Sequence, residues 1–483
     1  MLSFRGAQRE EDLSGMTSQA LLYVIVLPVA WLLLWPLKSA RSRQALLLTV
    51  SYGLYASFGL RFLALLISSS FLNYGLGILL RRKPSVARLW LGIVFNVVLL
   101  GTFKYLPALA PLLPASPVSH SLASIALPVG ISFWTFQALS YLFDLYREED
   151  LDPSLLEFLL YMAFWPTVLS GPICRLSTLL PQFRDPFQPA TEDVRRGLDR
   201  ICIGLFMTAL GQILGSGLHP GQGIDSIFDG PTRGLTGPDV WCLTIGYGFE
   251  LFFNFAGYTH MVIGAARLFG FRLDENFDRP YLSTTPSEFW TRWHMSLSFW
   301  IRDYLFLPMV MLRREAWWRS FVLVLSMVVF GLWHKGAVLF LLWGLYQGIL
   351  LVLHRQWQQL RIRSNWQISQ TIMTPLSWLV TFSTICLGWV FFRANTVTQA
   401  LTMLHAATNL NSYAQATLPA DLFILVATLA IAYFATIGSQ RLLQKHSEAL
   451  TIPLEFRLAL YAAAVYIGIF HAAQNQAFIY FQF

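Results

Sequence analysis

Phe321-Val-Leu-Val-Leu-Ser-Met-Val-Val-Phe330-Gly-Leu-Trp-His-Lys-Gly336-Ala-Val-Leu-Phe-Leu-Leu-Trp-Gly-Leu-Tyr-Gln-Gly-Ile-Leu350-Leu-Val-Leu353 places one short polar break between two strongly apolar stretches. A run of this character suits the hydrocarbon core of a bilayer, about 30 Å thick and crossed by roughly twenty apolar residues. Similar runs recur near 20–37, 45–58, 62–80, 88–105, 122–143, 155–172, 198–217, 239–266, 376–393, 421–438 and 457–473. They predict an all-α, polytopic integral membrane protein of about eleven spans, with re-entrant or interfacial helices added. Composition agrees. The 483 residues are 55% hydrophobic and only 12% charged, against about 25% charge in soluble domains. The first run, Leu21 to Leu37, lacks a small-residue cleavage site and is followed by more spans, so it stays as an anchor.

The formal net charge of +8 lies in short clusters between apolar runs and forms no continuous stripe of the kind that binds nucleic acid. Lys38, Arg41 and Arg43 follow the first span, and Arg81, Arg82, Lys83 and Arg88 follow the third. The positive-inside bias puts both loops in the cytoplasm and the amino terminus outside, in a cytoplasmic (inner) membrane. Met1 to Gly15 is polar and aperiodic, and reads as disordered or as a mis-assigned extension, with Met16 as an alternative start. Residues 17–483 then form a single membrane domain. Cys174, Cys202, Cys242 and Cys386 have no paired spacing, which argues for buried thiols and against a disulfide framework or zinc site.

Pro128 and Gly130 interrupt one apolar run, and Pro166, Gly171 and Pro172 another. Broken segments of this kind survive at membrane depth where protein or a wet cavity satisfies the freed backbone groups. Two polar stretches, Arg175 to Asp199 and Arg267 to Arg319, fit cytoplasmic surfaces. In the second, Thr285-Pro-Ser-Glu288 is a helix start. Continued to Tyr304, that helix would stack Phe289, Trp293, Leu297, Trp300 and Tyr304 on one face, as an amphipathic helix at the interface.

Ionisable groups at membrane depth are costly and mark functional sites by default. His334 is such a group, and a neutral imidazole, with an unperturbed pKa of about 6.5, suits general-base work. Lys335 is the nearby charge expected to act on it. A histidine hydrogen-bonded to a neighbouring helix would look the same in sequence. His294, between Trp290 and Ser298, is the second candidate. Arg292 and Arg302 could contact the phosphates of a carrier, and Asp303 could pair with either. The tryptophans either line an acyl passage or anchor at the interface. His260 carries less weight, and His120, His219, His354, His405, His446 and His471 lack a defensible polar partner. No zinc pair, Gly-x-Ser-x-Gly elbow or phosphate-cradling loop is present, which removes the common soluble hydrolases and nucleotide-driven pumps.

Several ordered segments carry a resemblance: Leu127-Pro-Val-Gly-Ile-Ser-Phe-Trp-Thr-Phe-Gln137, Ser170-Gly-Pro-Ile173, Asn276-Phe-Asp-Arg-Pro-Tyr281, Phe289-Trp-Thr-Arg-Trp-His-Met-Ser-Leu-Ser298, Gly331-Leu-Trp-His334, Gly388-Trp-Val-Phe-Phe-Arg393 and Phe478-Ile-Tyr-Phe-Gln-Phe483. Together they resemble the membrane-bound O-acyltransferase family, in the bacterial branch that contains alginate O-acetylase and the D-alanyl transfer protein of teichoic acid synthesis. The chain departs from the family pattern at Asn254, where relatives usually carry aspartate, and at Lys335, which separates the histidine from Gly336.

The resemblance implies helices ringed around a central tunnel, with catalysis at His334 and His294. Substrate contacts are then expected at Trp290, Arg292, Trp293, Ser298, Arg302, Asp303, Trp333 and Asn276, with no metal and no resident cofactor. The implied donor is an acyl thioester, acetyl-CoA or an acyl carrier protein. The implied acceptor is a cell-envelope or exported polysaccharide, and the implied partner an extracytoplasmic esterase-like acyltransferase. The leading expectation is O-acetylation, with D-alanyl transfer to a teichoic-acid-like polymer as the alternative. Outside this class stand a transporter or flippase, whose related halves are not seen, and a membrane scaffold for a partner enzyme.

Overall fold

The computed structural model describes residues 22–23, 25–110, 113–185, 189–364, 369–445 and 454–472. Met1 to Met16 and the Phe478 to Phe483 motif lie outside the described residues. Among the described residues the elements are helices, and extended pairing is confined to a single bridge between Phe277 and Trp293. Seven of these helices are long and apolar enough to cross a bilayer: Leu60–Arg82, Val86–Lys104, Thr191–Ser216, Ala316–His334, Val338–Arg363, Gln370–Arg393 and Ala420–Gly438. The other apolar runs form shorter or more polar helices, among them Ala40–Ala56, Ile131–Tyr146 and Gly237–Leu268. The all-α, polytopic reading holds, and the four cysteines are free thiols, with Cys174, Cys242 and Cys386 buried and Cys202 half-buried.

Local chemistry sets the helix ends. Ser39 and Ser85 accept from the backbone N–H of Ser42 and Arg88, at 3.2 and 3.4 Å, satisfying donors that a helix start leaves open. Packing is inverted relative to a soluble protein. On Val86–Lys104 the side chains of Trp90, Val94, Val97 and Val98 are exposed, while Asn96 is fully buried and exchanges amide hydrogen bonds of 2.7 and 3.2 Å with Asn73 of Leu60–Arg82. Apolar residues outside and paired polar residues inside are what lipid as solvent demands.

Small residues bring the long helices together. Gly197, Gly204 and Gly211 recur every second turn of Thr191–Ser216, and a Cβ on them would meet the Gly264 carbonyl at 2.9 Å, the Gly257 carbonyl at 2.5 Å and Asn254 Oδ1 at 2.5 Å. Both expected breaks are present. Gly130 (φ 76°) precedes Ile131–Tyr146, and Leu155–Ala163 gives way to buried, non-helical chain through Pro166 and Pro172. There the freed N–H groups of Trp165 and Ile173 donate to Ser51 Oγ (3.2 Å) and Ser296 Oγ (3.0 Å), as the membrane interior requires.

The single amphipathic helix expected from Thr285 to Tyr304 is not formed. Thr285 does cap a helix, Pro286–Trp290, its hydroxyl accepting from the Glu288 N–H at 3.1 Å. The chain then breaks at His294, which adopts φ 42°, resumes as Met295–Ile301, and continues into a π-helical turn, Arg302–Phe306. The cause is distant in sequence. Asn276 takes the Met295 N–H on its carbonyl (2.9 Å), and its Oδ1 accepts from the Ser296 N–H (3.2 Å) and Ser296 Oγ (2.7 Å). These bonds outbid continued helix and turn the imidazole inward.

Candidate active site

His334 is the last residue of the helix Ala316–His334, where terminal carbonyls need outside donors. Lys104 Nζ donates to the Trp333 carbonyl and reaches Ser132 Oγ at 3.2 Å, and the Tyr105 hydroxyl donates to the Leu332 carbonyl at 3.0 Å. Gly331 lets this helix touch the next one, Val338–Arg363, because a Cβ there would strike the Phe340 carbonyl. The residue is 5% exposed. It stacks on Phe330 (centroids 5.3 Å) and meets Phe392 edge-on at 5.1 Å and Trp343 at 5.8 Å. Lys104 is the lysine that acts on the ring electrostatically, whereas Lys335 is exposed to solvent. The expectation for Lys335 is therefore corrected, since the helix ends at His334 and Lys335 lies just beyond it in exposed, extended chain.

His294 also meets Trp333, ring centroids 6.2 Å apart, and is fully buried. Its Nδ1 lies 3.3 Å from Asn276 Oδ1, and an amide oxygen can only accept, so Nδ1 carries the proton and Nε2 the lone pair. Burial pulls this ring down to about 3, so it is neutral at ordinary pH.

Trp333 also connects the two histidines to a cluster of charged residues. Phe136 stacks between Trp333 (5.4 Å) and Trp300 (4.0 Å), and Trp300 packs on Tyr304 at 5.2 Å. Over the Tyr304 ring lie the guanidinium groups of Arg147 and Arg175, 5.1 and 5.2 Å from its centroid. Asp303 gathers them: its carboxylate pairs with Arg175 and, at 2.6 Å, with Arg302, and its backbone carbonyl accepts from Arg147 at 2.7 Å. Burial raises the Asp303 carboxyl, but the hydrogen bonds from Arg302 and Arg175 outweigh it and hold the group below the ordinary carboxylate range. A cavity of about 610 Å³, lined by Arg43, Gln182, Asp193, Arg272 and Asp274 among apolar residues, does not touch either histidine.

Residues 237–392, which contain both histidines, match the model of MBOAT, the membrane-bound O-acyltransferase family. Over 83% of this chain and 80% of the relative, the sequence is 33% identical to a probable alginate O-acetylase of Azotobacter vinelandii. The chain belongs to the membrane-bound O-acyltransferase family. It is accordingly an O-acyltransferase. A peptidoglycan O-acetyltransferase of Helicobacter pylori is 31% identical over 76% of the chain and 73% of the relative, and a teichoic acid D-alanyltransferase of Streptococcus thermophilus is 31% identical over 58% and 72%.

The acyltransferase brings most of the expected residues together, in distinct roles. His334, His294, Trp333 and Asn276 form one cluster. Trp290 backs the His334 shell, 5.1 Å from Phe330 and 5.7 Å from Trp343. Trp293 stacks on Phe289 at 5.4 Å in the adjoining aromatic core, and Ser298 donates to the Trp293 carbonyl at 3.0 Å, bracing the break. Arg302 and Asp303 belong to the charged cluster over Tyr304, but Arg292 does not. It pairs with Glu288, one turn before it, at 2.8 Å. His260 has Arg200 and Glu275 as its electrostatic neighbours. Sequence reasoning missed Lys104, Tyr105, Arg147 and Arg175. Lys104 ends an apolar run and reads as an interfacial cation, and no spacing marks the arginines as converging on Asp303.

Proposed function

We propose that this acyltransferase moves an acetyl group from a cytoplasmic thioester to hydroxyls of a cell-envelope or exported polysaccharide, with His334 as the base. The observation that carries the reading is the convergence of His334 and His294 on Trp333 inside a buried aromatic shell. The acceptor hydroxyl gives its proton to His334 as its oxygen attacks the thioester carbonyl carbon. The tetrahedral intermediate collapses with cleavage of the C–S bond, and His334 returns the proton to the departing thiolate. General-base help of this kind is worth about 10²–10⁴ in rate, and a shell that excludes water protects the thioester from hydrolysis. His294 positions the donor, and Arg175, Arg302 and Arg147 hold its phosphates at the cytoplasmic mouth, where guanidinium groups suit phosphate.

The acetyl group and the polysaccharide acceptor are supported by the names of the alginate and peptidoglycan relatives. The charge bias of the loops supports an inner-membrane location with the amino terminus outside. In the relay form of the reading, an extracytoplasmic esterase-like partner takes the acetyl group before the polymer does. D-alanyl transfer from a carrier protein is the second reading, supported by the teichoic acid relative. Analysis of alkali-labile esters released from the envelope of a deletion strain tests both. Loss of acetate supports the first reading, loss of D-alanine the second, and an unchanged ester profile contradicts both.

A further inference from the structure

The helix Val338–Arg363 leaves the His334 shell at Trp343 and carries Gln347 one turn further toward its basic end. Residues four apart share a helix face, and both side chains are buried, Gln347 completely. Among the described residues neither the amide oxygen nor the amide nitrogen of Gln347 has a hydrogen-bond partner, nor does the indole N–H of Trp343. Leaving both ends of a buried amide unpaired is costly, and an apolar side chain of similar size would avoid the cost. The facing helix makes room for the amide. Gly388 stands opposite, and a Cβ there would lie 2.6 Å from Gln347 Nε2.

A side chain that offers both donor and acceptor in a buried site complements another amide. We propose that Gln347 reads the first amide of a pantetheine arm, an inference that rests on the acyltransferase reading above and names the part of the donor that is recognised. The spacing fits. Four residues of helix rise about 6 Å, and an extended S–CH2–CH2–N segment sets the amide nitrogen about 5 Å from the thioester carbonyl carbon at bond lengths near 1.5 Å. With the carbonyl level with His334 and Trp343, the amide arrives at Gln347. Coenzyme A and acyl carrier proteins share this arm, so both satisfy the subsite.

The test uses the full chain in proteoliposomes and compares transfer from S-acetyl-N-acetylcysteamine, which carries the amide, with transfer from S-ethyl thioacetate, which lacks it. Wild type should favour the amide-bearing thioester by at least about tenfold, as sites built around a hydrogen bond do, and Gln347→Leu should bring the ratio of rates close to one. A Leu variant that keeps the wild-type ratio, or a wild type with a ratio of one, overturns the subsite. Gln347→Met, of matching length, gives the same two outcomes should the Leu variant lose its unfolding transition. Parallel reactions with acetyl-CoA and with an acetylated carrier protein identify the source of the arm. His334→Gln separates the two claims: retained transfer with a collapsed ratio in Gln347→Leu faults the base and leaves the subsite standing. Transfer from no thioester by wild type overturns both.

Discussion

Asn276 Oδ1 accepts from the Ser296 N–H, from Ser296 Oγ and from His294 Nδ1, at 3.2, 2.7 and 3.3 Å, and Asn276→Ala removes the acceptor of all three bonds at once. Asn276 and His294 are fully buried, so water does not replace the lost oxygen. A buried donor left without an acceptor costs about 1–3 kcal/mol. The Ser296 hydroxyl can rotate, which leaves two donors stranded and a net loss of about 3 kcal/mol after relaxation. That is comparable with the roughly 1–3 kcal/mol held in a left-handed residue such as His294 (φ 42°), so the break loses the bonds that maintain it. At about 1.4 kcal/mol per tenfold, the population with His294 against Trp333 falls about a hundredfold. The assay is envelope ester per unit of membrane-inserted protein, with thermal unfolding in detergent beside it. Asn276→Asp keeps the accepting oxygen and should lose much less. Wild-type ester in the alanine variant, or equal losses in both variants, would refute the reasoning.

Three further outcomes follow from the same geometry. Lys104→Met removes the donor to the Trp333 carbonyl, leaving a buried acceptor open at a cost of about 1–3 kcal/mol, and should lower ester formation more than it lowers the unfolding temperature, whereas Lys335→Met, at an exposed position, should change neither. Gly331→Ala drives a Cβ into the Phe340 carbonyl, a backbone atom that cannot step aside, and should destabilise by about 1–3 kcal/mol; Gly53→Ala, whose Cβ meets nothing within 4 Å, is the control in the same unfolding measurement. Asp303 is held below the ordinary carboxylate range, so its contribution is complete above about pH 4 and is lost as pH falls through the lower folded value. Unfolding temperature measured against pH should be insensitive to this group near neutrality and should fall in acid, with the acid branch flatter in Asp303→Asn.

The membrane fold was legible because span length and the charge of the loops are local properties. The burial of His334 was legible for the same reason, as one imidazole between two apolar stretches. The break at His294 was not. Phe289, Trp293, Leu297, Trp300 and Tyr304 keep a helical period through it, and nothing within that stretch competes with the helix; the competitor is Asn276, which acts across the bridge between Phe277 and Trp293. Lys104 was invisible for a related reason. It lies 229 residues from the Trp333 carbonyl it caps, and a lysine at the end of an apolar run normally reads as an interfacial anchor. The quoted motifs carried more than their residue types showed, since Ser170 to Ile173 meets the His294 segment through the Ile173 N–H and Ser296 Oγ, and Gly388 to Arg393 supplies Phe392 to the His334 shell.

The most direct measurement is transfer of radiolabelled acetate from acetyl thioester to polysaccharide by the purified chain in proteoliposomes, wild type against His334→Gln. The glutamine keeps a polar side chain at that position but cannot take up a proton, so label in the polymer should fall by about 10² or more while the unfolding temperature stays near that of wild type. Label incorporated at the wild-type rate by the variant would contradict the assignment of the base, and with it the central claim.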